Sequence, residues 1–269
     1  MSKKVILAFS GGLDTSISVS WLKQKHNLDV ITATIDIGQD ENFEAIEKKA
    51  YSIGASKHYT IDAKQEFVDH YILSAIKSNA LYQNKYPLAT ALGRPLIAYK
   101  LIEIANQEDT EIFSHGCTGK GNDQVRFDVT LRSVMHNAKI IAPVRDENMS
   151  RDEEIQYAQE MNVSIEKKSQ YSIDENLWGR SIEGGILENS FKEPPKDIYK
   201  WVNTDSKLDD KYIVIDFNNG VPISIDGITD SIEMITYLNN TAGGHGIGII
   251  DHIEDRLMGI KSREIYEAP

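Results

Sequence analysis

Apolar residues recur with two different periods along this chain, and the switches between them mark out its elements. Val5 to Phe9 is a short continuous apolar run, as expected of a strand covered on both faces. From Leu13 the period becomes helical, with Leu13, Ile17, Trp21 and Leu22 on one face of a helix predicted to reach Lys25. The alternation continues with a strand from Asp29 to Asp36, a helix from Phe43 to Ile53 stopped by Gly54, and a strand from His58 to Asp62. Helices from Lys64 to Lys77 and from Leu96 to Asn106 follow, with strands from Glu111 to Ser114 and from Lys139 to Ala142. Ser150 and Glu153 form a capping-box signature that opens a helix to Met161. Strands alternating with helices predict a mostly parallel sheet with helices on both faces.

From Lys167 the pattern changes. A loop-rich stretch containing Trp178 to Ser181, Glu183 to Gly185 and Pro194-Pro195 precedes two apolar runs, Tyr212 to Phe217 and Val221 to Ile225. Asn219-Gly220 between those runs is a hairpin turn signal. A helix from Ile232 to Leu238 and a strand from Ile249 to Ile253 complete an α+β unit. The expected fold class is therefore α/β, with a Rossmann-like, mostly parallel sheet over residues 1–166 and a smaller α+β unit over residues 167–269.

With 269 residues, 41% hydrophobic and 26% charged, the chain can bury one large or two modest cores. No apolar run approaches the roughly 20 residues needed to span a bilayer, and the first apolar stretch is too short for a secretory signal. The expected location is the cytoplasm, without membrane partners. A single cysteine, Cys117, excludes an intramolecular disulfide and a Cys-x-x-Cys site. A net charge of −12 argues against nucleic acid as a partner. No set among the seven histidines has a metal-ligand spacing, so no protein-held metal is expected.

Two junctions carry candidate chemistry. The first strand runs into Ser10-Gly-Gly-Leu-Asp-Thr-Ser16 and then into a helix. Glycines there permit positive φ and close approach of the backbone, and the helix start offers unpaired N–H groups to an anion. The plainer reading is a glycine-rich turn with a polar cap, but strand, glycines and helix stand in the order that phosphate binding requires. Walker A and Gly-x-Gly-x-x-Gly patterns are both absent. The heptapeptide resembles the pyrophosphate loop of the N-type ATP pyrophosphatases, which split ATP between its α and β phosphates.

The second junction, His115 to Phe127, again passes from a strand end through glycines into a helix. Thr118 and Asn122 suit a carboxylate, Asp123 an ammonium and Arg126 a second carboxylate, a set that describes an amino-acid site better than a metal site. The alternative is a polar loop with Asn122 capping the helix. An acidic chain that binds a polyphosphate must gather positive charge locally, and Arg94, Lys120, Arg126 and Arg180 are the candidates. Cys117 has no assigned base and reads as a small buried residue rather than a nucleophile.

Five ordered blocks then make the resemblance specific: Ser10 to Ser16, Tyr86 to Pro95, Gly119 to Phe127, Tyr171 to Ser181, and Gly259 to Pro269. Together they are similar to the argininosuccinate synthases along the whole chain. The resemblance implies a nucleotide-binding domain over 1–166 and a synthetase domain over 167–269. It also implies a chain lacking the C-terminal part, because family members continue past Pro269 into an arm used in tetramer formation; a homotetramer is expected when that part is complete.

The implied reaction has two steps. The ureido oxygen of citrulline attacks the α-phosphate of ATP and releases pyrophosphate, and the amine of aspartate then displaces AMP. Family roles fall on Ala8, Phe9, Ser10, Gly11, Gly12, Leu13, Asp14, Thr15 and Ser16 for ATP, with Ile35 and Gly116 on the adenosine side. Thr118, Asn122 and Asp123 are implied for aspartate. Tyr86, Asn122, Arg126, Ser172, Ser181, Glu254 and Tyr266 are implied for citrulline, Arg126 facing its carboxylate and Glu254 its ammonium. Asp123, Asp14 and Lys120 are the expected catalytic residues, Asp123 orienting the attacking amine and helping to take its proton. Mg²⁺ is expected to arrive with ATP. The competing readings are a tRNA-thiolating ATP pyrophosphatase, which would need a basic RNA face and paired cysteines, and a non-catalytic nucleotide-binding fragment.

Overall fold

The computed structural model describes residues 3–161, 163–164 and 170–269, so the expected domain boundary between 166 and 167 lies outside the described residues. Five strands, β1 (Lys4–Ala8), β2 (Asp29–Asp36), β3 (Lys57–Asp62), β4 (Ile112–Ser114) and β5 (Lys139–Ile141), form a sheet in the order β3-β2-β1-β4-β5, all parallel. The order reverses at β1, so the loops after β1 and β4 part there and leave a crevice at the carboxyl ends of the strands.

Helices α1 (Leu13–His26), α2 (Phe43–Ser52), α3 (Lys64–Glu66), α4 (Leu73–Ser78), α5 (Ala89–Glu108), α6 (Asp123–Val134), α7 (Pro143–Asp146) and α8 (Arg151–Glu160) surround this sheet. Alternate strand residues serve opposite faces. Val5, Leu7 and Val30 pack with Trp21 and Leu22 of α1 and Ile46 of α2, whereas Ile6, Ile31 and Ile35 pack with Leu96, Leu101 and Ile104 of α5. Each fully buried aliphatic side chain of this kind contributes roughly 1.5–3 kcal/mol of transfer free energy.

Two helices differ from the expectation. The helix predicted from Leu96 begins at Ala89, because Pro95 sits inside α5 rather than at its start. Proline there gives up one bond to the carbonyl four residues back, and the packing of α5 on the sheet carries the helix through. Between α3 and α4 a π-helical turn, Phe67–Ile72, keeps Phe67, Val68 and Ile72 buried, so the stretch expected as one helix is wound unevenly.

The second sheet is antiparallel, ordered β10-β11-β7-β6, from β6 (Ser172–Asn176), β7 (Gly179–Glu183), β10 (Ile249–Asp255) and β11 (Lys261–Glu267). The region expected as loop thus holds a hairpin, β6 and β7, and the chain ends in a strand. A separate hairpin pairs β8 (Ile215–Asn218) with β9 (Val221–Ile225) around Asn219 and Gly220, both at positive φ, as the Asn-Gly signal requires. Its first strand starts at Ile215, not Tyr212. Helix α9 (Ser231–Gly244) runs past the expected end at Leu238.

One face of the four-stranded sheet is apolar, with Ile182 and Ile265 packed on Tyr171, Leu187 and Ile198. The same face holds a buried ion pair between Arg180 and Glu267. Glu267 also accepts hydrogen bonds from the backbone N–H groups of Lys200, Trp201 and Val202 at 2.8–3.1 Å. The other face carries Ser172, Asp174, Ser181, Glu183, Glu264 and Tyr266 in register. The turn between β6 and β7 presses on the first sheet. Leu177 N donates to Ile37 O, Trp178 Nε1 to Pro87 O, and Asn176 Nδ2 to Ala89 O. Gly38, at φ 99°, leaves no room for a Cβ, which would lie 2.7 Å from Leu177 Cβ.

Removing the Glu267 carboxylate leaves three backbone donors without their acceptor and leaves Arg180 with only Ile198 O and the longer contact to Glu175 at 3.4 Å. Glu267→Ala is expected to destabilise the protein by about 3–5 kcal/mol, and Glu267→Gln by less, because an amide oxygen still accepts; urea unfolding midpoints would measure both.

Candidate active site

The crevice at the strand ends opens into a cleft of about 590 Å³ bounded by the two loops and the polar face of the second sheet. On one side, Gly11 takes φ 74° and Gly12 starts α1 with no side-chain cap, so the first helical turn has no acceptor from its cap residue, while Gly12 N donates to Ser10 Oγ at 3.3 Å. Hydroxyls brace this loop from behind. Ser16 Oγ donates to Gly11 O at 3.2 Å, Thr15 Oγ1 donates to Gly12 O at 3.2 Å, and Lys49 Nζ donates to Gly11 O at 2.6 Å. Asp14 is ion-paired to Arg151 at 2.8 Å, and Arg151 also holds Glu154. Glu154 is buried, and burial together with the charge of Asp14 pushes its carboxyl up to about 7.

The second loop lies against the first. A Cβ on Gly116 would stand 2.9 Å from Thr15 Cγ2 and 3.2 Å from Thr15 N, so glycine allows a contact that no other residue would. Beyond it, Asp123 opens α6 between two guanidinium groups. Arg94 Nε donates to Asp123 Oδ2 at 2.6 Å, Arg94 Nη2 to Asp174 Oδ1 at 2.6 Å, and Arg126 to Asp123 Oδ1. Although burial opposes it, the positive charge of Arg94 and Arg126 holds the Asp123 carboxyl below its usual value. Such a carboxylate is a poor proton acceptor, so its expected part in taking a proton is not favoured by this geometry. Asn122 does not cap α6 through its side chain. Its amide instead reaches the second sheet, donating to Asp255 O at 3.3 Å and accepting from Leu257 N at 2.9 Å.

The far wall belongs to the second sheet. Tyr86 and Tyr266 stack with ring centroids 3.7 Å apart, joining the segment before α5 to β11. The Tyr86 hydroxyl accepts from Thr90 N at 3.0 Å, and the Tyr266 hydroxyl lies 2.7 Å from Oε2 of both Glu254 and Glu264. Arg256 pairs with Glu264 at 3.0 Å and with Glu183.

Nearly all the residues singled out from sequence converge here. Ala8, Phe9, Ser10, Gly12, Leu13, Asp14, Thr15, Ile35 and Gly116 line one end of the cleft. Tyr86, Thr118, Asn122, Asp123, Arg126, Ser172, Ser181, Glu254 and Tyr266 line the rest. Gly11 and Ser16 support the loop from outside the lining, and Lys120 is exposed and also outside it. Arg180, expected to supply charge to the cleft, points to the opposite face of its sheet and pairs with Glu267 instead. Cys117 is half-buried in the lining, and burial with the nearby charge of Asp123 raises its thiol far from the reactive range. The sequence reading passed over Asp174, Glu183, Arg256 and Glu264, all in the wall. The signal available for Glu264 was the alternation of Ser262, Glu264 and Tyr266 against Ile265.

Residues 4–164 match the family model described as the arginosuccinate synthase N-terminal HUP domain, and residues 171–269 match that of the arginosuccinate synthase C-terminal domain. Argininosuccinate synthase from Dictyoglomus thermophilum is 57% identical over 270 residues, covering 99% of this chain and 68% of that protein. The enzyme of the same name from Pyrococcus furiosus is 53% identical over 269 residues, covering 99% of this chain and 65% of the relative. The chain thus spans about two thirds of the length of these relatives. At the level of domains the expected lack of a C-terminal part is not borne out, since the C-terminal model matches as far as residue 269.

Glu154 makes stability depend on pH. Its folded value of about 7 exceeds the ordinary 4.5, so its contribution is fully present below pH 4.5 and is lost as pH rises to about 7. Glu154→Gln is expected to flatten the fall in stability over that window, by about 1–3 kcal/mol, as read from urea midpoints at pH 5 and pH 7.5.

Proposed function

The chain belongs to the argininosuccinate synthase family, ATP-consuming ligases of arginine biosynthesis that join citrulline to aspartate, and we propose how this cleft carries out that reaction. The observation that supports the reading best is the contact of Gly116 with Thr15, which brings a phosphate loop and an amino-acid loop into one cleft. In this reading ATP lies over Ala8 to Ser16, with its pyrophosphate on the N-terminus of α1 and its adenosine against Ile35 and Gly116. Residues 1–166 then act as the nucleotide-binding domain and residues 167–269 as the synthetase domain, in a cytoplasmic homotetramer.

The two amino acids occupy the remainder. Citrulline takes the wall of Tyr86, Asn122, Arg126, Ser172, Ser181, Glu254 and Tyr266, with Arg126 on its carboxylate and Glu254 on its ammonium. Aspartate takes Thr118, Asn122 and Asp123. Arg126 and Asp123 pair with each other across one helical turn. Substrates of opposite local charge would split that pair, Arg126 turning to a carboxylate and Asp123 to the incoming amine, while Arg94 keeps Asp123 neutralised and ionised. Catalysis then rests on orientation and on stabilisation of phosphate charge, with no covalent protein nucleophile. Asp14, held by Arg151, and exposed Lys120 would act on the phosphates only after local rearrangement.

Mg²⁺ fits as a companion of ATP: Asp14, the carboxylate in the loop, is committed to Arg151 and offers no preassembled cage. When bound, the ion would neutralise phosphate charge.

The deciding experiment is ³¹P NMR of Mg-ATP with the protein. AMP and pyrophosphate should form only with citrulline, and sustained turnover should follow addition of aspartate; cleavage indifferent to citrulline would sink the reading. Asp123→Ala should still release pyrophosphate with citrulline yet form little argininosuccinate. Arg126→Ala should raise the citrulline KM by an amount equivalent to about 2–5 kcal/mol, and an unaltered KM would remove Arg126 from the citrulline site.

A further inference from the structure

A phenol has one proton, yet the Tyr266 oxygen lies 2.7 Å from a carboxylate oxygen of Glu254 and 2.7 Å from one of Glu264. Tyr266 can donate to only one of them. The second contact is a hydrogen bond only if that carboxyl carries a proton and donates to the phenol oxygen. All three side chains are buried, Glu254 and Glu264 each below a tenth exposed, so an unsatisfied close contact between charged and polar oxygens would be costly.

The charges around the cluster point the same way. Glu183 faces Glu264 from β7, Glu254 and His252 face it from β10, and Ser262 and Tyr266 flank it on β11. Arg256, in the turn after β10, pairs with both Glu183 and Glu264. Tyr86 stacks on Tyr266 from the other unit, with Arg126 near it. Glu183 and Glu264 therefore share one guanidinium, with Glu254 as a third carboxyl beside them, and burial and Lys85 lower the affinity of His252 for a proton. Full ionisation would leave uncompensated negative charge in a buried place.

We infer that Glu264 is a positioning residue that holds a proton for the cleft: it donates to the Tyr266 oxygen, which turns the Tyr266 proton onto Glu254 and leaves Glu254 as the single oriented anion. Burial and the neighbouring Glu254 push the Glu264 carboxyl up to about 7, in keeping with this assignment. Resting on the citrulline reading above, the arrangement gives the substrate ammonium one carboxylate of fixed direction instead of two that repel. Loss of the proton would turn Tyr266 loose between two anions.

The test joins a spectrum to a pH profile. Because Glu154 titrates in the same range, infrared difference spectra are taken on Glu154→Gln without substrates: a protonated-carboxyl C=O band should be present at pH 6, vanish as pH rises through about 7, and be missing when Glu264→Gln is added. Glutamine still donates to Tyr266 but does not ionise. Glu264→Gln should therefore keep the citrulline KM at pH 6 within about threefold and abolish its rise at alkaline pH, whereas Glu264→Leu should raise KM about tenfold with a smaller change in kcat. A Glu154→Gln spectrum without the band, a band that survives Glu264→Gln, or equal impairment of the Gln and Leu variants would overturn the assignment. The band is read without substrate, so absence of citrulline-dependent turnover would count against the functional reading while the spectrum still decided where the proton sits.

Discussion

The cleft depends on one guanidinium. Arg94, in the second turn of α5, reaches Asp123 at the start of α6 with one edge and Asp174 on β6 with the other. Without it, two carboxylates would oppose each other where the two sheets meet. The planar fork also fixes their separation, which a lysine ammonium on a flexible stem would not do. The aromatic stack of Tyr86 on Tyr266 and the backbone contacts of Leu177 and Trp178 close the same seam nearby. Charge, ring packing and backbone bonding thus hold one junction, and the chemistry lies on it.

The cleft is also sorted by sign. At one end stands the uncapped start of α1, suited to phosphate oxygens; at the other stands Glu254, suited to an ammonium group, with Glu183 and Glu264 behind it on Arg256. The net charge of −12 says nothing of this division, which arises because a parallel sheet ends in helix N-termini while an antiparallel sheet turns an alternating polar face toward them.

That contrast explains what could be read from the sequence. β1 and β2 are covered on both faces, β1 appearing as an unbroken apolar run and β2 as one interrupted by Thr32 and Thr34, and the glycines of both loops mark the strand ends at the cleft. β6 and β7 were missed because their cleft face carries Ser172, Asp174, Ser181 and Glu183, which leaves too few apolar positions to set a period. Arg180 was misplaced because Gly179 beside it reads as a turn, whereas its partner Glu267 is 87 residues away and leaves no local mark. The helix predicted from Leu96 likewise starts late, because the sheet beneath α5 carries the helix through Pro95 from Ala89. Local pattern located the loops; pairing over long separations decided which side chains faced them.

Gly116 has a bearing on geometry that reaches past its own backbone. The loops after β1 and β4 touch only because an atom is missing there, so the space between whatever occupies the two loops is written as an omission. A ruler of this kind has no side chain to rotate and no bond to stretch. Thr15 lies in the first turn of the helix after β1 and Gly116 two residues beyond β4, and β1 and β4 are neighbours in one hydrogen-bonded ladder. The spacing of the two loops is thereby anchored to a sheet as well as to the loops themselves.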